Sequence, residues 1–418
     1  MLKCQNLMRV SDENESMTVW NYTGDLKDES NKYRGCITDK KNKIICPSLG
    51  YTYEYYIDTK EDSREKFKNF ENWSWFYSPE GTMLRLFYFQ GDWHIVTHKK
   101  LSAFQSRWSC NFSFGELFIQ ALEKIIGNVS DTEEGNVYET FVNHLDKGKI
   151  YYFMLRSNYQ NRVICHTSTV SEKDSLIFIG HRETTDFQFF LANSEIENEM
   201  LRKIRQPLQV EHKFSNIDSV FHFVEKSIDP FEYQGLIGFC KDEFDYHMIK
   251  IVNSRYKELI KIRGNNHNLK YRYIEIRNDP TKVEKLFMLY PKYVTVFQDF
   301  EKILTKISKK ISRTYVDRYI HCKYVTLPKE EYIILRKCNE WCIKNNEKYV
   351  SVKTILNIIN MESSMNVYKM IQRFRTDEQQ RKTYQVRVKK TNTFDDIISF
   401  YNMTENSSDG SLPVDEHQ

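Results

Sequence analysis

The sequence predicts an α+β protein, an antiparallel-sheet domain followed by an α-helical domain. Three observations predict it. Short β-type segments punctuated by Gly, Asn and Asp turns dominate residues 33–253. From about residue 255 the apolar positions switch to helical spacing. The length of 418 residues also suits two or three domains of roughly 150 residues each. The expected divisions are an irregular N-terminal segment over 1–30, a sheet domain over 31–262, a helical domain over 263–400 and a disordered tail over 401–418.

The elements follow in order. Residues 1–30 are polar and read as irregular. NKYRGCITDKKNKIICPSLG (31–50) reads as two short strands around a turn at Asp39–Asn42. MLRLFYFQGDWHIVTHKK (83–100) is the clearest hairpin, with strand Met83–Gln90, turn Gly91–Asp92 and return strand Trp93–Thr97. SFGELFIQALEKIIGNV (113–129) is an amphipathic helix with Phe114, Leu117, Phe118, Ala121, Leu122 and Ile125 on one side. KIYYFMLRS (149–157), RVICHTSTV (162–170) and DSLIFIGHRE (174–183) read as strands. NEMLRKIRQ (198–206) and NIDSVFHFVEKS (216–227) are helical, and FEYQGLIGFC (231–240) with DYHMIKIVN (245–253) forms a second hairpin-like pair. Helices then occupy 283–311, 329–346 and 352–360.

Composition narrows the class. Lys+Arg is 61 and Asp+Glu is 57, so the net charge is only +4, which excludes a histone-like polycation and an acidic solvating chain. Basic clusters persist within that balance, at 98–107 and 306–313. Alanine occurs only at Ala103, Ala121 and Ala192, while Asn, Lys, Ile and Tyr abound, the bias of an AT-rich codon set. The nine cysteines are scattered, with no CxxC pair and no disulfide framework, which points to a reducing compartment. Cys338 and Cys342 stand one helical turn apart and read as packing residues. No run of about 18 apolar residues suggests a membrane span, and the N-terminus has no apolar core like that of a signal peptide.

Several segments carry candidate chemistry. SPEGTMLRLF (78–87) fits an ordinary glycine turn before a strand, and equally a nucleotide pocket in which Gly81 permits close approach and Arg85 meets a phosphate or ribose. WHIVTHKKLSAFQSRW (93–108) alternates His98, Lys99, Lys100 and Arg107 with Trp93, Phe104 and Trp108. That is a pattern for nucleic-acid phosphates and stacked bases, or for a solvated strand end over core aromatics. Arg156 and Arg162 flank a polar turn and are candidate phosphate ligands. Lys250 stands on the strand neighbouring Gln234–Gly235. A G-x-S-x-G elbow, a P-loop and a G-x-G-x-x-G after a strand are all absent. His94 and His98 lack a carboxylate framework, so no metal site is expected.

In this order the segments resemble the ATP-dependent RNA ligases of the phage tRNA-repair type and their giant-virus relatives, members of the covalent nucleotidyltransferases. YRGCITDKKNKIICPSLGYTYEY (33–55) looks like that family's early Arg-Gly strand pair. SPEGT (78–82) falls where its Lys-x-Asp-Gly-(Ser/Thr) motif belongs, and HIVTHKKLSAF resembles the Thr-Lys motif that follows. YYFMLRSNYQNRVIC (151–165) is similar to the Phe-Glu-Leu-x-Ser-Pro-x-Asn-Arg stretch, with Arg162 orienting its turn. EYQGLIG and YHMIKIVNSRY sit at the Glu-Gly and Lys-x-Lys positions, and EIRNDPTKVEKLFMLYPKY (275–293) resembles the start of the helical domain.

The resemblance implies a nucleotidyltransferase fold over 31–262 whose remnant pocket is lined by Glu80, Gly81, Arg85, Lys99 and Lys250. It also exposes departures. Ser78 stands at the nucleophilic lysine, Met154 and Gln234 at two carboxylates, and Val252 at the second lysine of the last motif. Losing a nucleophile removes most of a catalytic advantage. The expectation is therefore a degenerate member that binds nucleotide or RNA ends, or serves as a subunit of a viral nucleic-acid-processing complex. Two rivals stand beside it: an active RNA ligase or capping-type enzyme using Lys99 as a relocated nucleophile with ATP and Mg²⁺, and a scaffold that binds no ligand. Glu232 is a candidate stand-in for the carboxylate lost at Gln234. Lys309, Lys310 and Arg313 mark a basic face for RNA or an acidic partner. The implied setting is the host cytoplasm or the virion, with no membrane.

Overall fold

The computed structural model describes residues 7–24, 33–49, 51–59, 61, 67, 70–108, 110–127, 136–157, 163, 175–193, 195–241 and 246–391. The chain divides into two compact units, 1–268 with 288–290, and 269–287 with 291–418.

The first unit is built on three sheets. Strands β1 (Met8–Glu13), β2 (Met17–Tyr22), β3 (Ile37–Asp39) and β4 (Ile44–Cys46) form an antiparallel meander. The expectation of an irregular segment over 1–30 is corrected here, because residues 8–22 form a hairpin. Met17 and Val19 enter the core, and the polar Thr18 between them is buried as well, so no apolar alternation marks the strand. Strands β5 (Tyr53–Tyr55) and β6 (Trp73–Ser78) are the edges of a second sheet. Strands β7 (Thr82–Phe89), β8 (Asp92–Val96), β9 (Lys149–Leu155), β10 (Leu176–Glu183) and β11 (Phe189–Leu191) make a five-stranded antiparallel sheet in the order β11-β10-β9-β7-β8. Strands β12 (Gly235–Lys241) and β13 (Tyr246–Val252) complete the other sheet as β5-β13-β12-β6, with β5 parallel to β13. The β7–β8 turn sits one residue earlier than expected, on Gln90 (φ 51°) and Gly91 (φ 100°), which pairs Phe89 with Asp92. The expected strand over 162–170 lies outside the described residues apart from Val163, and Arg162 lies outside them too.

Helix α1 (Phe114–Ile126) begins at a capping box in which the Ser113 hydroxyl accepts from Glu116 N and the Glu116 carboxylate accepts from Ser113 N. Its Leu117, Phe118, Ala121 and Leu122 pack with α2 (Val137–Asn143) and α3 (Glu199–Lys203) on Leu84, Leu86, Tyr151, Phe153 and Phe178. Each fully buried phenylalanine here contributes about 2–3 kcal/mol. Alternation then forces Arg85 on β7, Tyr152 and Met154 on β9 and Ile177 on β10 to the opposite face of the five-stranded sheet. The β5–β6 sheet buries Leu236, Ile249 and Ile251 against α4 (Ile217–Ser227), which turns Ile237, Met248 and Lys250 the other way. α5 (Ser254–Arg263) follows β13, its N-terminus capped by Asn253.

The second unit is helical: α6 (Leu269–Ile276), α7 (Pro280–Leu289, whose last two residues count with the first unit), α8 (Val294–Tyr315), α9 (Lys329–Asn345), α10 (Val352–Asn360) and α11 (Ser364–Thr391). α8 buries Phe297, Phe300, Ile303, Leu304, Ile307 and Ile311 at helical spacing. Cys338 and Cys342 are buried in α9. The basic face expected at Lys309, Lys310 and Arg313 carries internal pairing, with Lys310 2.8 Å from Glu331 and nearby Lys306 3.2 Å from Glu378. Lys309 and Arg313 are exposed. The tail over 401–418 lies outside the described residues.

Candidate functional site

The two faces left over by this alternation meet around a cavity of about 240 Å³. The five-stranded sheet supplies Met83, Arg85, Tyr152, Met154, Ile177 and Ile179. The opposing sheet supplies Ser78, Ile237, Phe239, Met248 and Lys250, and Gln234 enters from the turn before β12. Tyr77 of β6 and Tyr233, with ring centroids 4.8 Å apart, also line the cavity, as do Arg156 after β9 and Arg205, which bridges to Ile177 of β10. Ser78, Gly81, Arg85, Met154, Gln234 and Lys250, drawn from distant parts of the chain, therefore line one space.

They are knitted together. Gln234 N donates to Ser78 O at 2.8 Å, and Gln234 Nε2 donates to Pro79 O at 2.9 Å. Lys250 Nζ donates to Gln234 Oε1 at 3.2 Å and to Glu54 Oε1 at 3.3 Å. Gly81 is a close approach: a Cβ there would lie 2.6 Å from Met154 Cγ and 2.8 Å from Leu155 O. Gly235 is tighter still, with φ 150° and a Cβ position 2.0 Å from Ile251 O. Gly235→Ala is therefore expected to destabilise the first unit by about 3 kcal/mol, read as a shift in urea midpoint, because a strand backbone has to move.

Other expected site residues take different places. Arg85 lines the cavity, yet its guanidinium serves the fold: Nη1 donates to Cys46 O at 3.3 Å and Pro47 O at 3.4 Å, and Nη2 donates to Thr97 O at 3.0 Å. Glu80 is buried and is not among the lining residues; its carboxylate accepts from Val163 N at 3.0 Å and Tyr256 Oη at 3.2 Å. Lys99 is exposed on the turn after β8 and does not line the cavity, because the chain turns away there and Ser11 Oγ donates to Lys99 O. Glu232 is exposed in the turn that starts at Asp229, not on the face of β12. Among the expected stacking aromatics, Trp93 packs with Tyr88 and Tyr151, Trp108 lies under the Arg263 guanidinium at 5.3 Å, and Phe104 is exposed. Tyr77, Tyr233 and Arg205 were not singled out in the sequence, where only a strand pairing absent from local patterns would have joined them.

His98, one of the basic cluster at 98–107, is neutral here. Burial first, then the nearby charges of Arg85, Arg34 and Lys99, lowers its pKa to about 3, and its Nε2 is buried without a hydrogen-bond partner. The unfolded chain takes up a proton near pH 6.5 that the folded chain refuses, so this stability is complete above that pH and is lost as pH falls below it. The expected loss between pH 7.5 and pH 5 is about 2 kcal/mol. Urea unfolding at both pH values is expected to give a smaller loss for His98→Gln than for the parent protein.

The residues present do not fit Mg²⁺, which takes carboxylate and water oxygens. No Asp or Glu is among the described lining residues. Among the described residues no group of three or more His, Cys, Asp and Glu side chains is placed to hold a metal. No helix among them is long and apolar enough to cross a membrane.

Comparison with known proteins adds viral relatives. The chain is 26% identical over 300 residues to "Immediate-early protein ICP-46 homolog" of Invertebrate iridescent virus 3, covering 70% of this chain and 61% of that protein. It is 26% identical over 323 residues to the protein of the same name from Invertebrate iridescent virus 6, covering 75% and 68% respectively. The chain thus spans about three fifths to two thirds of the length of these relatives. No family model matches it. Among solved structures, "Putative ATP-dependent DNA ligase" from Aquifex aeolicus aligns over 82% of this chain and 86% of its own, at 12% identity and a TM-score of 0.39, a value too low to establish a shared fold.

Proposed function

We propose that this is a viral protein of nucleotidyltransferase type whose cavity holds a nucleotide, or the phosphorylated end of an RNA, without becoming covalently attached to it. One observation carries the reading: the segments that resemble successive motifs of covalent nucleotidyltransferases converge on a single cavity, with Ser78, Gly81, Met154, Gln234 and Lys250 in its lining. An apolar wall of Met154, Ile177, Ile237 and Phe239 suits a base and sugar, and Lys250 with Arg156 and Arg205 suits phosphates.

Covalent transfer needs an amine at the position of Ser78. A hydroxyl there lacks the nucleophilicity of a lysine amine, and Lys99 projects from an exposed turn. Incubation with α-labelled ATP or GTP and Mg²⁺, followed by denaturing electrophoresis, is expected to leave the protein unlabelled. Equilibrium titration with the same nucleotides, and with short 5′-phosphorylated RNA at two salt concentrations, is expected to show saturable, salt-sensitive binding. A labelled band that survives denaturation, or no binding of any of these probes, overturns the reading.

A further inference from the structure

We propose that the cavity takes its polyphosphate as a metal-free anion, so that Mg²⁺ opposes binding. This rests on the nucleotide-pocket reading above and specifies the ligand's charge state. Four described lining residues, Arg85, Arg156, Arg205 and Lys250, carry fixed positive charge, and no described lining residue carries a carboxylate. Two acids next to lining residues are already engaged. Both oxygens of Glu80 are held by Tyr256 and by the backbone at Val163, and Glu54 approaches Lys250 from outside the lining. Met154 and Gln234 put a thioether and an amide where a carboxylate would draw in a cation.

Two electrostatic consequences follow. A divalent cation entering this cavity meets like charge, with no anionic ligand among the described lining residues. A cation already chelated by the ligand cancels two of its negative charges, and so weakens its attraction to Lys250 and the arginines. In an acid-lined pocket the same ion would bridge protein and phosphate and strengthen binding.

The probe is ATP, titrated by calorimetry against the full chain in EDTA and again in excess MgCl₂ at matched ionic strength. The dissociation constant is expected to be about tenfold lower in EDTA. Equal affinities, or tighter binding with Mg²⁺, overturn the inference and leave the nucleotide-pocket reading standing. Absence of binding in both buffers overturns that reading, and this inference with it. Gln234→Glu restores one carboxylate to the lining, and the preference for EDTA is expected to shrink or reverse. An unchanged preference in a folded variant shows that the acid-free lining is not the cause and overturns the inference. Should Gln234→Glu fail to fold in a thermal melt, Met154→Glu carries the same test from the opposite sheet.

Discussion

Replacing Arg85 by methionine is expected to destabilise the first unit by about 3–5 kcal/mol. Arg85 is 3% exposed, and its guanidinium donates to the carbonyls of Cys46, Pro47 and Thr97. These acceptors belong to the end of β4 and to the turn after β8, so one side chain ties the N-terminal meander to the five-stranded sheet. Methionine fills much of the volume but donates nothing. Each orphaned carbonyl then carries an unmet desolvation penalty of about 1–3 kcal/mol, partly relieved where water enters. Urea unfolding followed by tryptophan fluorescence measures the loss. Lysine at 85 keeps the charge but cannot reach three carbonyls from one planar fork, so Arg85→Lys is expected to recover only part of it. A methionine variant as stable as the parent protein would show that these hydrogen bonds add nothing net.

Arg85 also marks how far the sequence could be read. Its strand was legible, because the alternation in MLRLFYF fixes a half-buried strand. Its role was not, because its acceptors lie 39, 38 and 12 residues away and are backbone atoms that no side-chain pattern announces. Glu80 failed for the same reason, since the Tyr256 hydroxyl that holds it is 176 residues distant. The nearness of Gln234 and Lys250 could be anticipated, because a hairpin over 235–252 pairs Ile237 with Lys250. The pairing of β12 with β6, which brings Ser78 opposite Gly235, joins segments with no local link. Here the order of motif-like segments supplied what periodicity could not. Charge was misread at His98, since burial beside Arg85 removes a proton that composition would grant it. The hairpin over 8–22 was not legible because polar and apolar residues do not sort by face, with Val10 exposed and Thr18 buried, and only Met17 and Val19 reach the cluster shared with the five-stranded sheet.

Lys250→Met is expected to weaken nucleotide binding by about 10–100-fold while leaving the fold in place. The lysine stem lies on the cavity face of β13, and the side chain is 17% exposed, so the charge is sheltered without being sealed from a ligand. It presently donates to Gln234 and to Glu54, whose carboxylate is 34% exposed. A phosphate oxygen entering the cavity would compete for the same ammonium, and a charge-assisted hydrogen bond of this kind is worth about 1.5–3 kcal/mol. Methionine keeps the stem's packing against Ile237 across the pair. Glu54, left without its lysine, is exposed enough to be solvated, so the stability change should be small beside the affinity change. Titration with ATP in EDTA gives the affinity, and a thermal melt of the same preparation gives the stability. Loss of affinity with an unchanged melting temperature places the phosphate at Lys250. An unchanged affinity would remove Lys250 from the binding site and move the anion toward Arg156 and Arg205 on the opposite wall.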